Sequence, residues 1–137
     1  MNSSKQLDDI HSLIQSNDYA SAKTKIAEAR AAGNREALLS LFEATCVYEM
    51  GNDIETLRLL AEFLASSTNS TKRAYALFTV ALCLENLGLN EQALEIFQKV
   101  PEGYQDLDKE RSRAAQDLKQ QKQALLLFAG IRSINRS

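Results

Sequence analysis

Between Arg73 and Val100 the chain reads RAYALFTVALCLENLGLNEQALEIFQKV, and this stretch admits little besides two antiparallel helices joined by a tight turn. Leu77, Ala81 and Leu84 recur at helical spacing on one face, and Ala93 and Phe97, four apart, share a face of the second segment. Gly88 stands where the first helix must stop, because glycine adopts the left-handed conformation that closes a helix end. Asn90, just before Glu91, is the residue type that caps a following helix. The spacing therefore predicts helices over about Thr71–Leu87 and Glu91–Val100. A small residue in the middle of each seam lets the backbones approach, and the large Phe97 fills the space beside it.

The same punctuation recurs upstream. Asn17, Gly51 and Gly88 are 34 and 37 residues apart, and each separates two segments of helical periodicity. In the first unit Leu7, Ile10, Leu13 and Ile14 form one stripe, and Ala22, Ile26 and Ala29 form the next, closed by Gly33. The second unit is REALLSLFEATCVYEM, a Gly51-Asn52-Asp53 turn, then IETLRLLAEFLASS. Its first segment is apolar almost all round, as suits a helix with neighbours on several sides. The three additional residues of the longer interval fall most naturally in the polar string from Ser66 to Lys72. One proline and five glycines in 137 residues leave too few turns for an all-β chain, so the fold class expected is all-α.

This pattern resembles the tetratricopeptide repeat, a 34-residue helix-turn-helix unit with W-x2-L-G-x2-Y in its first helix and A-x3-F, then Pro, in its second. Leu77, Val80, Ala81 and Leu84 stand at the first four positions, Ala93-x3-Phe97 matches the second half, and Pro101 comes a few residues early. The first two units are more degenerate. Gln6 and Ser40 take the large apolar position, Ile10 the small one, and Thr56 and Leu60 replace the Ala and Phe of the second helix. The resemblance implies a right-handed α-solenoid of antiparallel helix pairs. Three such pairs would fill residues 1–103, and a capping or interaction helix with a short tail would fill 104–137, all in one domain. It also implies a concave groove lined by Leu38, Leu41, Thr45 and Tyr48 from the second unit and by Tyr75, Phe78, Leu82 and Glu85 from the third. In family members that grip a peptide C-terminus this face carries basic and amide side chains. Here it carries aliphatics and aromatics, so a carboxylate clamp is not expected and an apolar segment is.

Beyond Pro101 and Gly103 the apolar stripe thins to Tyr104, Leu107, Ala114, Leu118 and Leu125, with mostly polar residues between. One helix is expected from about Gln105 to Phe128, ending at Gly130, its polar face suited to closing a stack of helix pairs. Leu125, Leu126, Leu127 and Phe128 are too apolar for a solvated helix end. They form a C-terminal interaction segment, to be covered by the chain's own groove, by a second copy or by a partner.

Charge is uneven. Residues 1–68 hold 6 basic and 10 acidic side chains, whereas 109–137 hold 7 and 2. A basic run can touch RNA or anionic lipid, but its commoner use is a solvated helix face, and no nucleic-acid partner is expected. The N-terminal MNSSKQLDDIHSLIQ has no apolar core of the secretory type, and no apolar run approaches the length of a membrane span, which points to a cytoplasmic protein.

Nothing in the chain carries an enzyme signature. Phosphate-binding glycine loops, a nucleophile elbow and H-E-x-x-H are all missing. His11 is the sole histidine and pairs most simply with Asp8 on a helix surface. Asp8, Asp9, Glu102, Asp106 and Asp108 lie near expected helix starts, where the macrodipole favours carboxylates. Cys46 and Cys83 occupy the same place in successive units. Equivalent points of stacked helix pairs lie about 10 Å apart, beyond the ~7 Å Cα separation a disulfide spans, so both should be free core thiols. No catalytic residue, metal or cofactor is expected. The function expected is protein–protein interaction, an adaptor or chaperone-like module similar in size and groove character to small three-repeat bacterial secretion chaperones. The alternative is a self-assembling homodimer whose groove its own C-terminal helix fills.

Overall fold

The computed structural model describes residues 3–134, which form seven α-helices with no strand among them. Met1, Asn2 and the last three residues of the basic tail, 135–137, lie outside the described residues. The helices are α1 (Ser3–Gln15), α2 (Tyr19–Ala31), α3 (Ala37–Glu49), α4 (Asp53–Ser66), α5 (Ser70–Asn86), α6 (Asn90–Lys99) and α7 (Gln105–Ile134).

Three turns are built alike. Asn17, Gly51 and Gly88 all have positive φ, at 62°, 82° and 81°. In each, this residue and the next donate nested backbone bonds into the preceding helix: Asn17 to Ile14 and Asp18 to Leu13, Gly51 to Tyr48 and Asn52 to Val47, Gly88 to Glu85 and Leu89 to Leu84. These bonds satisfy carbonyls that the helix end leaves without partners. Asn17 serves in place of glycine because its short side chain tolerates the left-handed region. The next helix then starts from a side-chain cap in two of the three cases. Asp18 accepts from Ser21 N–H at 3.2 Å, and Asn52 accepts from Glu55 N–H at 3.1 Å. In the third, the cap position falls to Leu89, which offers no acceptor, and Asn90 is the first residue of α6 rather than its cap. The Asn90 amide instead donates to Gln121 of α7 at 2.6 Å.

Burial obeys the same intervals. Ala22, Thr56 and Ala93 are spaced like the turns, as are Ile26, Leu60 and Phe97, and all six are buried. Thr56 is the only buried polar residue among those described, and its hydroxyl donates to Asn52 O at 2.7 Å. The three extra residues of the second interval enter as an added turn at the start of α5, which has 17 residues where α3 has 13.

Packing runs chiefly between consecutive helices, with α3 also touching α1 and the first turns of α7 touching α5. The core divides accordingly. Ile10, Ile26, Leu39 and Cys46 gather α1 to α3; Ala44, Leu60, Phe63 and Ala76 gather α3 to α5; Ala81, Ala93, Phe97 and Ala114 gather α5 to α7. Arginines tie two helix C-termini to the next helix along the chain. Arg73 of α5 donates to Leu64 O and to Ser67 O (3.0 Å), and Arg111 of α7 donates from Nε to Phe97 O at 2.9 Å and from Nη2 to Val100 O. A guanidinium fork suits a helix C-terminus, where carbonyls and the negative end of the dipole converge.

α7 corrects one expectation. It does not end at Gly130 but continues to Ile134, 30 residues in all, about 45 Å at 1.5 Å per residue. A single helical glycine costs only about 1 kcal/mol, which its helix-forming neighbours offset. Its first half packs through Leu107, Ala114 and Leu118, and from Lys119 onward every described residue is exposed. No helix among the described residues is long and apolar enough to cross a membrane.

Candidate functional site

α7 meets the third helix pair through its first turns, and this creates the site. Leu107 is buried with Ala74 and Val100, and Tyr104 packs edge-on against Tyr75 with ring centroids 6.0 Å apart. Phe78 makes a similar edge contact with Phe97 at 5.6 Å. One and a half turns further along, Arg113 reaches back to Glu85 of α5 at 2.9 Å and also binds Glu110 at 2.7 Å and Asp117 at 2.6 Å. Donation to Glu85, and then to the other carboxylates, pushes the Arg113 guanidinium above its ordinary value.

Between the two helices lies a groove of about 500 Å³ lined by Tyr75, Phe78 and Leu82 on one wall and Asp106, Leu107, Lys109 and Glu110 on the other. Its floor is apolar and its rim carries charge. Tyr75 is 47% exposed, a large aromatic left facing solvent. The expected groove face is thus only partly brought together. Tyr75, Phe78 and Leu82 line the cavity, and Glu85 closes one end of the α5–α7 contact through Arg113. Leu41 packs against the core cluster of α3 to α5, Leu38 is half-buried, and the Thr45 hydroxyl turns back to Leu41 O at 3.0 Å. Tyr48 is half-buried, and burial pushes its hydroxyl up from the ordinary value. The α7 wall is what sequence reasoning missed. Leu107 was legible as an apolar position, but nothing local shows that it crosses to α5.

The C-terminal segment does not occupy this groove. Leu125, Leu126, Leu127 and Phe128 are 61%, 77%, 64% and 55% exposed, and Ile131 and Ile134 are open as well. The reason is geometric: α7 is one unbroken helix, so Leu107 and Phe128 stand about 32 Å apart along it and Phe128 cannot fold back. Of the three covers open to this segment, its own groove is not the one seen in the structure. Only the start of α7 lines the cavity.

A second cavity of about 440 Å³ lies among α2, α3 and α4, with Arg30, Arg35 and Arg58 on its walls. Two of these guanidinium groups already have carboxylate partners: Arg30 binds Glu43, and Arg58 binds Glu55 and Glu62. Arg35 donates to the carbonyls of Arg30 and Asn34. Cys46 and Cys83 are free and buried, and burial pushes their thiols up to about 11 and about 12. His11 is exposed and lies against Phe42, ring centroids 5.7 Å apart, rather than in a catalytic cluster.

Comparison of the chain with protein-family models, with curated proteins and with solved structures returned no match.

Proposed function

We propose that this protein is a non-enzymatic protein–protein interaction module, an adaptor or chaperone-like solenoid of tetratricopeptide-like helix pairs acting in the cytoplasm. The groove between α5 and α7 holds an apolar helical or extended segment of a partner. One observation carries this reading: the groove pairs a floor of Phe78, Leu82 and Leu107 with an exposed Tyr75 at its rim. A large amphipathic ring beside an apolar slot is the usual anchor of a peptide-binding surface. The recurrence of turns and buried positions at intervals of 34 and 37 residues supports the repeat architecture.

The test is binding of fluorescently labelled amphipathic peptides, followed by anisotropy. Peptides with an apolar stripe should bind the protein, and Tyr75→Glu should abolish binding while lowering the thermal melt only slightly, through loss of the edge contact with Tyr104. Equal binding by a folded Tyr75→Glu variant, or preference for wholly polar peptides, would rule the groove out.

A further inference from the structure

We infer that the segment this groove holds is the distal half of α7 from a second copy of the chain, the two copies exchanging helix ends about a two-fold axis. The inference rests on the groove reading above and names its occupant.

Three features select this occupant. The first is reach. A helix end that lies about 32 Å from its own groove can only be covered in trans, and when two α7 helices run antiparallel the same 21-residue separation sets each Phe128 beside the other copy's Leu107. One self-complementary contact is then made twice, as two-fold symmetry requires.

The second is charge. All 18 acidic residues lie before Lys119, while the chain from Lys119 onward holds four of the 16 basic ones. Residues 1–118 therefore carry a formal −6 and the helix end +4. Two ends paired only with each other would repel. An end laid against another copy's body, which carries the opposite net charge, is attracted.

The third is the distribution of apolar side chains around the helix. At 100° per residue Leu127, Phe128, Ile131 and Ile134 share one face, but Leu126 lies roughly 140° from its centre, among Lys119 and Lys122. The four side chains of this face form a continuous strip about 120° wide, which a slot seats on its floor and both walls, while Leu126 stays on the solvent side with the lysines.

Sedimentation velocity on the full chain over a wide concentration range tests the inference, with two variants. Leu127→Glu/Phe128→Glu spoils the helix end, and Tyr75→Glu spoils the groove. The wild-type chain should associate to a dimer, each variant alone should sediment as a monomer, and an equimolar mixture of the two should associate again, because one intact end then meets one intact groove. A wild-type chain that stays monomeric, or a dimer that survives Tyr75→Glu but not the end variant, overturns the exchange. So does a monomer whose helix end takes it onto phosphatidylserine vesicles. A monomer whose groove still binds unrelated amphipathic peptides in a Tyr75-dependent manner overturns the exchange alone. Loss of that peptide binding overturns the groove itself.

Discussion

Leu89 sits in the same backbone conformation as Asn52, at φ −91°, ψ 64° against φ −99°, ψ 85°, each just before a helix and just after a left-handed glycine. Asn52 caps its helix and Leu89 leaves the equivalent amides of α6 without a side-chain partner. The position is ready for a cap that the residue does not supply, and Leu89 is 44% exposed, so little packing holds it there.

Leu89→Asn should therefore stabilise the protein by about 1 kcal/mol, and Asn52→Ala should destabilise it by a similar amount. Urea unfolding measures both. No change in either variant would mean that the two turns are not equivalent in solution.

Ala81 and Ala93 are both buried, in the cluster that joins α5, α6 and α7. Ala81→Leu has no room for its added carbons and should lower stability by about 1–3 kcal/mol. Ala115, in α7 but exposed, serves as the control, since Ala115→Leu should change thermal melting little.

Arg111 fixes α7 to the end of α6 through the carbonyls of Phe97 and Val100. Arg111→Ala removes bonds from a charged donor and should cost about 1.5–3 kcal/mol. Arg111→Lys should not restore it, because an ammonium cannot span both carbonyls as the planar fork does. Hydrogen exchange should show the loss in residues 105–118 first, with α1 to α4 still protected. Uniform loss across the chain would show that α7 does not open separately.

The thiols of Cys46 and Cys83 give a pH dependence with a definite sign. Burial raises their folded values to about 11 and about 12 from an ordinary 9.0. Below pH 9 both folded and unfolded chains hold the proton and this contribution to stability is complete. Between pH 9 and about 12 the unfolded chain ionises first, so stability falls as pH rises. Thiolate absorbance should be absent from the folded protein at pH 9, and thiol reagents should label both residues only after denaturation. Rapid labelling of the native protein would contradict their burial.

The turns and the helix seams were legible in the sequence because their causes are local. Whether Asn17, Gly51 or Gly88 ends a helix depends on the left-handed conformation of one residue and on carbonyls within the previous turn and a half. Ala22 with Ile26, and Ala93 with Phe97, are buried because a four-residue spacing puts both members of each pair on one helix face. Asn90 was misplaced by one residue for an equally physical reason: an asparagine before an acidic first turn is a good cap in isolation, but the turn after Gly88 puts Leu89 at the cap, and the Asn90 amide finds Gln121 instead. The stop at Gly130 failed because a glycine's left-handed freedom is only permitted, not compelled, and the segment around it is otherwise strongly helical.

What the sequence alone determined is the set of helices, their pairing and the residues buried between partners, since each arises from periodicity and from contacts short along the chain. Tertiary structure decided the groove and the helix end. Tyr75 meets Tyr104, and Glu85 meets Arg113, only because α7 leaves Gly103 at the angle that brings its first turns across α5. That same angle, in a helix with no break before Ile134, carries Leu125 to Phe128 away from the groove of their own chain. Pattern reveals that such side chains need cover; only the direction of the helix in space shows that their own groove cannot supply it.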